Sequence, residues 1–124
     1  MNRVSIIIPT LNEATCLERT LRQLSILNPP AWEVLVVDGG SQDETVAIPY
    51  GIAALHALDS KTRVISSTTP GRSVQMNLGA EVATGEILCF LHADTLVPGD
   101  IVAVIQQTLS DAKIAGGGFI SLMA

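Results

Sequence analysis

The stretch GEILCFLHADTLVPGD, residues 85–100, holds an apolar run from Ile87 to Leu91 that stops at His92-Ala93-Asp94. Another apolar run ends in Asp38-Gly39-Gly40-Ser41, and the first one, Val4 to Ile8, ends in Pro9-Thr10-Leu11-Asn12-Glu13. Carboxylates in such positions are hard oxygen ligands, suited to Mg²⁺ or Mn²⁺ shared with phosphate oxygens; the cation would offset repulsion between Asp94 and a diphosphate. Asp38 followed by two glycines suits a carboxylate that hydrogen-bonds a base or ribose while the backbone approaches closely. Each residue also has a plainer reading: Asp38-Gly39 as a strand-to-loop turn, Asp94 as a helix cap, His92 as a hydrogen-bonded structural histidine, Arg72 as a solvated surface residue. Their joint placement at strand ends and helix starts favours a site.

The elements that must position them follow from apolar periodicity. Val4 to Ile8 reads as a buried strand stopped by Pro9, and Asn12 as the cap of a helix from Glu13 to about Leu27 with Leu17, Leu21 and Leu24 inward. Glu33 to Val37 is a second strand. Ser41-Gln42-Asp43-Glu44 is a capping-box sequence that opens a second helix, with a kink or break expected near Ile48 because of Pro49 and helical character resuming over residues 52–58. Arg63 to Ser66 is a third strand, and Pro70-Gly71 leads into a helix with Val74, Leu78 and Val82 inward. Glu86 to Leu91 is a fourth strand. Pro98 fits the first turn of a helix that turns Ile101, Val102, Ile105 and Leu109 inward, and Gly116 to Met123 is a final strand-like run. Strands alternating with helices predict an α/β domain over residues 1–124: a mostly parallel sheet with helices on both faces, binding its ligand at the carboxyl ends of the strands.

Composition agrees. Residues are 48% apolar but only 3% aromatic, so the core is built of Val, Ile, Leu and Ala, as in parallel sheets covered by helices. A net charge of −5 with no Lys/Arg run argues against nucleic acid as a partner. Cys16 and Cys89 lack metal-ligand spacing and read as buried, reduced thiols. Met1-Asn2-Arg3 leads straight into a strand-like run without a signal-peptide pattern, and the longest mostly apolar stretch, Val46 to Leu58, is too short to span a bilayer. The expected location is cytoplasmic, at most peripheral to the inner membrane face. Neither a G-x-G-x-x-G after the first strand nor a G-x-x-x-x-G-K-[ST] occurs, which argues against a dinucleotide dehydrogenase or a P-loop NTPase.

Three segments, VSIIIPTLNEATCLERTL, VLVVDGGSQDETV and GRSVQMNLGAEVATGEILCFLHADT, together resemble family 2 glycosyltransferases of the GT-A fold, a Rossmann-like nucleotide-diphospho-sugar transferase fold. The GRSVQMNLGA and FLHADT variants resemble a bacterial subgroup of that family. The resemblance covers nearly the whole chain. It implies transfer of a sugar from a nucleotide diphosphate sugar to an acceptor that remains to be named, with a divalent metal, Mn²⁺ or Mg²⁺, and inversion at the anomeric carbon. By the same resemblance Pro9, Thr10, Asn12 and Glu13 match the first nucleotide-binding loop, and Asp38 with Gly39 the acidic position bordering base and ribose. Arg72 and Asn77 match the segment packed beside the nucleotide, and His92, Ala93 and Asp94 the D-x-D-like motif, whose last acid, Asp94, is the metal ligand.

The chain also departs from the pattern. Gly39 stands where many members have a second acid, and His92 replaces the first acid of the D-x-D motif. The stretch from Ala47 to Thr62 is longer than usual. The family continues for roughly another hundred residues with the acceptor site and a carboxylate base, so the chain is expected to be the amino-terminal, nucleotide-sugar-binding part, its base lying beyond residue 124. The late acids Asp100 and Asp111 are poorly placed for that role, and an uncovered apolar final strand is expected to promote self-association into a homo-oligomer. The alternative is a nucleotide-sugar-binding module without turnover, lacking acceptor site and base.

Overall fold

Period-two burial organises the sheet. The computed structural model describes residues 3–50, 62–111 and 118–122. Within them, strands β1 (Val4–Thr10), β2 (Glu33–Asp38), β3 (Thr62–Ser66), β4 (Ile87–Leu91) and β5 (Gly118–Leu122) form one parallel sheet in the order β3-β2-β1-β4-β5. All residues of β1 and β2 are buried, so both strands are covered on both faces, with polar Ser5, Thr10, Glu33 and Asp38 toward their ends. Even-numbered Val4, Ile6, Ile8, Val34 and Val36, with Ile87, Cys89 and Leu91, face a core completed by helix α1 (Ala14–Ser25) and helix α3 (Ile101–Asp111). Ile7, Leu35, Val37 and Phe90 point the other way, under helix α2 (Arg72–Val82). Each fully buried aliphatic side chain contributes about 1.5–3 kcal/mol, and β1 alone supplies Ile6, Ile7 and Ile8.

Helix α1 turns Leu17, Leu21 and Leu24 into the core as expected, but Asn12 does not cap it. Asn12 lies in the left-handed region (φ 54°), and its Oδ1 accepts the Gln42 N–H at 2.8 Å. The first N–H groups of the helix region go instead to the next loop: Thr45 Oγ1 accepts from Glu13 N (2.9 Å) and Asp43 Oδ2 from Ala14 N (3.3 Å). Asp43, not Ser41, caps the following segment, a 3-10 turn at Glu44–Val46. The expected interruption falls at Ala47; residues 48–50 are helical, with Pro49 in the first turn, where its missing N–H costs nothing. The helical reading of residues 52–58 lies outside the described residues, as does most of the long stretch from Ala47 to Thr62.

Helix α2 is rotated slightly from the predicted face. Gln75 and Gly79 are buried, and Leu78 and Val82 pack half-buried against the Ile7, Leu35, Val37 and Phe90 cluster as expected, while Val74 is 43% exposed. Gly79 explains the rotation. A Cβ there would fall 2.5 Å from Ile7 Cγ2 and 3.2 Å from Val37 Cγ2, so the helix touches the sheet backbone-first at this point. Pro98 precedes α3, with the Ile101 N–H donating to its carbonyl, rather than lying in its first turn; Val102 and Ile105 are buried as expected, and the Leu109 side chain lies outside what is described. At the amino end of β2, buried Glu33 accepts from Ser5 Oγ (2.6 Å), Thr84 N (2.5 Å) and Thr84 Oγ1 (3.1 Å), tying the chain after α2 to the sheet. Burial raises the Glu33 pKa, but these donors and the Arg63 guanidinium outweigh it and hold the carboxyl below its ordinary value.

Candidate functional site

From β1 the chain passes through α1 to β2 on one side, and β4 lies on the other, so a topological switch point opens at the carboxyl ends of β1 and β4. Such crevices are where parallel α/β sheets take ligands. Here it is a cleft of about 190 Å³ lined by Pro9, Thr10, Leu11, Glu13, Gly71, Arg72, Gln75 and His92. Three connections supply these residues: the β1 exit, the start of α2 and the β4 exit. Gly71 has φ 142°, a conformation disfavoured for a side-chain-bearing residue, and it turns the chain into α2 so that Arg72 borders the cleft as its cation.

Asp38 does not line this cleft. It is only 3% exposed and stands one strand away, opposite Thr10 in the β1–β2 register. Its carboxylate accepts four hydrogen bonds: Oδ1 from Thr10 Oγ1 (2.9 Å) and Ser41 Oγ (2.5 Å), Oδ2 from the N–H groups of Gly40 (3.0 Å) and Ser41 (2.8 Å). Burial pushes its pKa up, but the Ser41 hydroxyl and N–H, the Gly40 N–H and the Thr10 hydroxyl together hold it below the usual carboxylate range. An ionised carboxylate has about four acceptor positions; the loop fills three of them and Thr10 the fourth. The same loop is stitched to the β1 exit by Gly39 N to Thr10 O (2.9 Å) and Asn12 N to Ser41 Oγ (2.8 Å).

Gln75 is the buried residue that the sequence reading passed over. Its Nε2 donates to Thr10 O (2.9 Å) and Val37 O (2.8 Å), and its Oε1 accepts from Gly71 N (3.2 Å). Two carbonyl acceptors and one N–H donor also fix the orientation of the amide. A signal for it existed: Gln75 and Gly79 are spaced i, i+4, and a polar residue in register with a helix-packing glycine marks a polar end to an inward face.

On the far side of the cleft, the His92 ring is hydrogen-bonded through Nδ1 with Asp94 Oδ1, and its Nε2 lies 4.0 Å from Glu13 Oε1. The Asp94 side chain is 48% exposed and that of His92 18%. Helix α1 grips the backbone here: buried Thr20 donates to the Ala93 carbonyl, and Arg19 Nη2 donates to Asp94 O at 3.1 Å. Among the described residues no group of three or more His, Cys, Asp or Glu is arranged to hold a metal ion. One half-exposed carboxylate fits a cation whose remaining ligands are diphosphate oxygens and water, rather than an ion held by protein alone.

Of the predicted site residues, the fold brings Pro9, Thr10, Glu13, Arg72 and His92 to one cleft, with Asp94 paired to His92. Gly39 is covered by Gln75, Ala93 is fully buried, Asn12 is turned toward Gln42, and Asn77 is exposed on α2 outside the cleft lining. Asp38 ends β2 and Asp94 follows β4, so they flank β1 from opposite sides; the two strands themselves stand two spacings, or about 10 Å, apart.

A family model described as glycosyl transferase family 2 matches residues 5–121. Over 110 residues the chain is 40% identical to the PGL/p-HBAD biosynthesis glycosyltransferase of Mycobacterium bovis (strain BCG / Pasteur 1173P2), a match that covers 86% of this chain and 41% of that one. Among solved structures it is similar to the mannosyltransferase PcManGT from Pyrobaculum calidifontis in complex with GDP-Man and Mn²⁺, with a TM-score of 0.82 and 32% identity over 90% of this chain and 33% of that one. Its fold is also that of S. aureus TarS 1–349, at a TM-score of 0.77 and 23% identity, covering 88% of this chain and 32% of TarS. The chain thus spans well under half the length of these relatives. Among the described residues no helix is long and apolar enough to cross a membrane.

Proposed function

The chain belongs to glycosyl transferase family 2, and on that footing we propose that it forms the donor half of a metal-dependent, inverting glycosyltransferase, binding a nucleotide diphosphate sugar in the cleft between β1 and β4. The observation that carries this is the placement at one switch point of Arg72 and His92, which both line the cleft, with the half-exposed Asp94 carboxylate bonded to His92. Arg72 would neutralise diphosphate charge directly. Asp94 would hold Mn²⁺ or Mg²⁺ jointly with the diphosphate, and the bound cation would stabilise the leaving group as negative charge builds on it. Asp38 acts at one remove, by fixing the Gly39–Ser41 loop against Thr10. The cleft, about 190 Å³, is below the roughly 300–1,000 Å³ of complete small-molecule sites, which suits one part of a donor site. Inverting transfer also needs a base near the acceptor hydroxyl; Asp100 does not line the cleft, and the Asp111 side chain lies outside what is described.

Titration calorimetry with UDP and GDP, in Mn²⁺ and in chelator, tests the reading. Asp94→Asn should weaken Mn²⁺-supported binding about 10–100-fold, or about 1.4–2.7 kcal/mol. It should leave binding in chelator and the melting temperature nearly unchanged, because the side chain is half-exposed. Equal Mn²⁺-supported affinity in wild type and Asp94→Asn would refute the metal assignment. Nucleotide binding with no hydrolysis or transfer would leave the second reading, a donor-binding module.

A further inference from the structure

We propose that Gln75 is a positioning residue that holds the β1 exit, the end of β2 and the entrance to α2 in register beneath the cleft, and that its amide occupies the space a side chain at position 39 would need. The inference rests on the donor-site reading for its ligand half and on geometry alone for its structural half. The three hydrogen bonds of the amide reach three separate connections: Thr10 at the β1 exit, Val37 before the β2 exit loop, and Gly71 at the entrance to α2. Gln75 is 3% exposed yet lines the cleft, so it forms part of the floor. No chain of local hydrogen bonds could tie Gly71 to Thr10, because β3 and β2 stand between them in sequence and β1 lies beyond β2 in the sheet.

The coupling to Gly39 is steric. A Cβ at Gly39 would lie 2.6 Å from Gln75 Oε1, 2.9 Å from Cδ and 3.2 Å from Nε2. The amide cannot swing aside cheaply: moving it leaves the carbonyls of Thr10 and Val37 short of a buried donor. Position 39 therefore accepts a side chain only if position 75 gives up its long one. This also gives a physical reason for glycine after Asp38 in this chain: the space beside that residue is filled from α2.

Two measurements separate the halves. In thermal unfolding, Gly39→Ala alone should lower the melting temperature by several degrees, as should Gln75→Ala. The double variant should melt at or above the lower of the two singles, because the clash is gone. Strict additivity of the two losses would overturn the steric claim, whatever the protein binds. In calorimetry with Mn²⁺, Gln75→Leu should weaken UDP and GDP at least tenfold at a temperature well below melting, while inorganic pyrophosphate changes less than threefold. The asymmetry is expected because a nucleoside would rest on the β1 and β2 connections that Gln75 joins, whereas pyrophosphate keeps the untouched Asp94 side and loses only part of its Arg72 contact, which Gln75 reaches through the Gly71 N–H alone. Equal weakening of nucleotide and pyrophosphate would mean general softening and overturn the positioning role. Failure of the wild type to bind UDP or GDP would overturn the donor-site reading together with the ligand half, and the melting series would still decide the steric half.

Discussion

Replacing Asp38 by alanine removes the acceptor for two backbone N–H groups and two hydroxyls at once. The hydroxyls of Thr10 and Ser41 can rotate to other acceptors. The Gly40 and Ser41 N–H groups cannot, although Gly40 is exposed and gains water. A hydrogen bond to a charged group contributes about 1.5–3 kcal/mol, and an orphaned buried donor costs about 1–3 kcal/mol. With Ser41 N–H largely uncompensated and Gly40 N–H partly so, the loss comes to about 2–4 kcal/mol. At about 4 °C per kcal/mol for a domain of this size, the melting temperature falls by roughly 8–16 °C. Asp38→Asn keeps one oxygen for the two N–H groups and turns its amide toward the two hydroxyls, so it should cost only about 1–2 kcal/mol. The acid limb follows from the sign of the shift. The folded Asp38 pKa is depressed, so its contribution is complete above the unfolded value near 4 and disappears as pH falls through the folded one. Urea unfolding of wild type, Asp38→Ala and Asp38→Asn between pH 7 and pH 3 would show wild type losing its margin over Asp38→Asn in the acid range. Asp38→Ala melting within about 2 °C of wild type while losing nucleotide affinity would refute the reasoning and make Asp38 a direct ligand contact.

Gly79→Ala should destabilise the protein by about 1–2 kcal/mol net, because overpacking against the stiff Ile7 branch at so close a contact costs about 2–3 kcal/mol and alanine returns roughly 1 kcal/mol as helix propensity; an unchanged or raised melting temperature would show that α2 can lift off the sheet. Glu33→Ala should cost about 2–4 kcal/mol by stranding the Ser5 hydroxyl and the Thr84 N–H, with Glu33→Gln milder, and chemical denaturation of both would check the order. Burial, followed by the Glu13 hydrogen bond and charge, raises the Cys16 thiol to about 11, and burial raises Cys89 to about 12. At pH 8 the folded protein should therefore react with a thiol reagent more than about 100-fold slower than a free thiol, and rapid labelling of either cysteine would contradict the packing.

Strand positions were legible because both faces of β1, β2 and β4 are buried, which leaves continuous apolar runs such as Val4 to Ile8 that end in polar exits. Those exits identified Thr10, Glu13, His92 and Asp94 before any geometry. What stayed hidden was set by contacts between connections distant in sequence. Asn12 looks like a cap only until the 41–45 loop arrives with Ser41, Asp43 and Thr45 to take over that work. Val74 looks inward on hydrophobicity, yet Gly79 has no apolar signal at all and fixes which side of α2 meets Ile7. Asp38 reads as a ligand contact because a carboxylate beside two glycines carries no mark of the four donors that saturate it.

Strand β1 also sets the order of events in folding. It pairs with β2, its near neighbour along the chain, and with β4, whose Ile87 lies opposite Val4 across most of the described sequence. A nascent chain that has made β1, α1 and β2 holds a β1 edge with unpaired N–H and C=O groups until β4 emerges. Long-range parallel pairing of this kind is slow, and the waiting edge is a template for other chains. The two walls of the cleft, Thr10 on one strand and His92 after the other, come together only at that late step. Ligand competence should therefore appear with the last phase of refolding, well after helical signal in the far ultraviolet, and conditions that stall the β1–β4 closure should yield aggregates rather than an open but native-like protein.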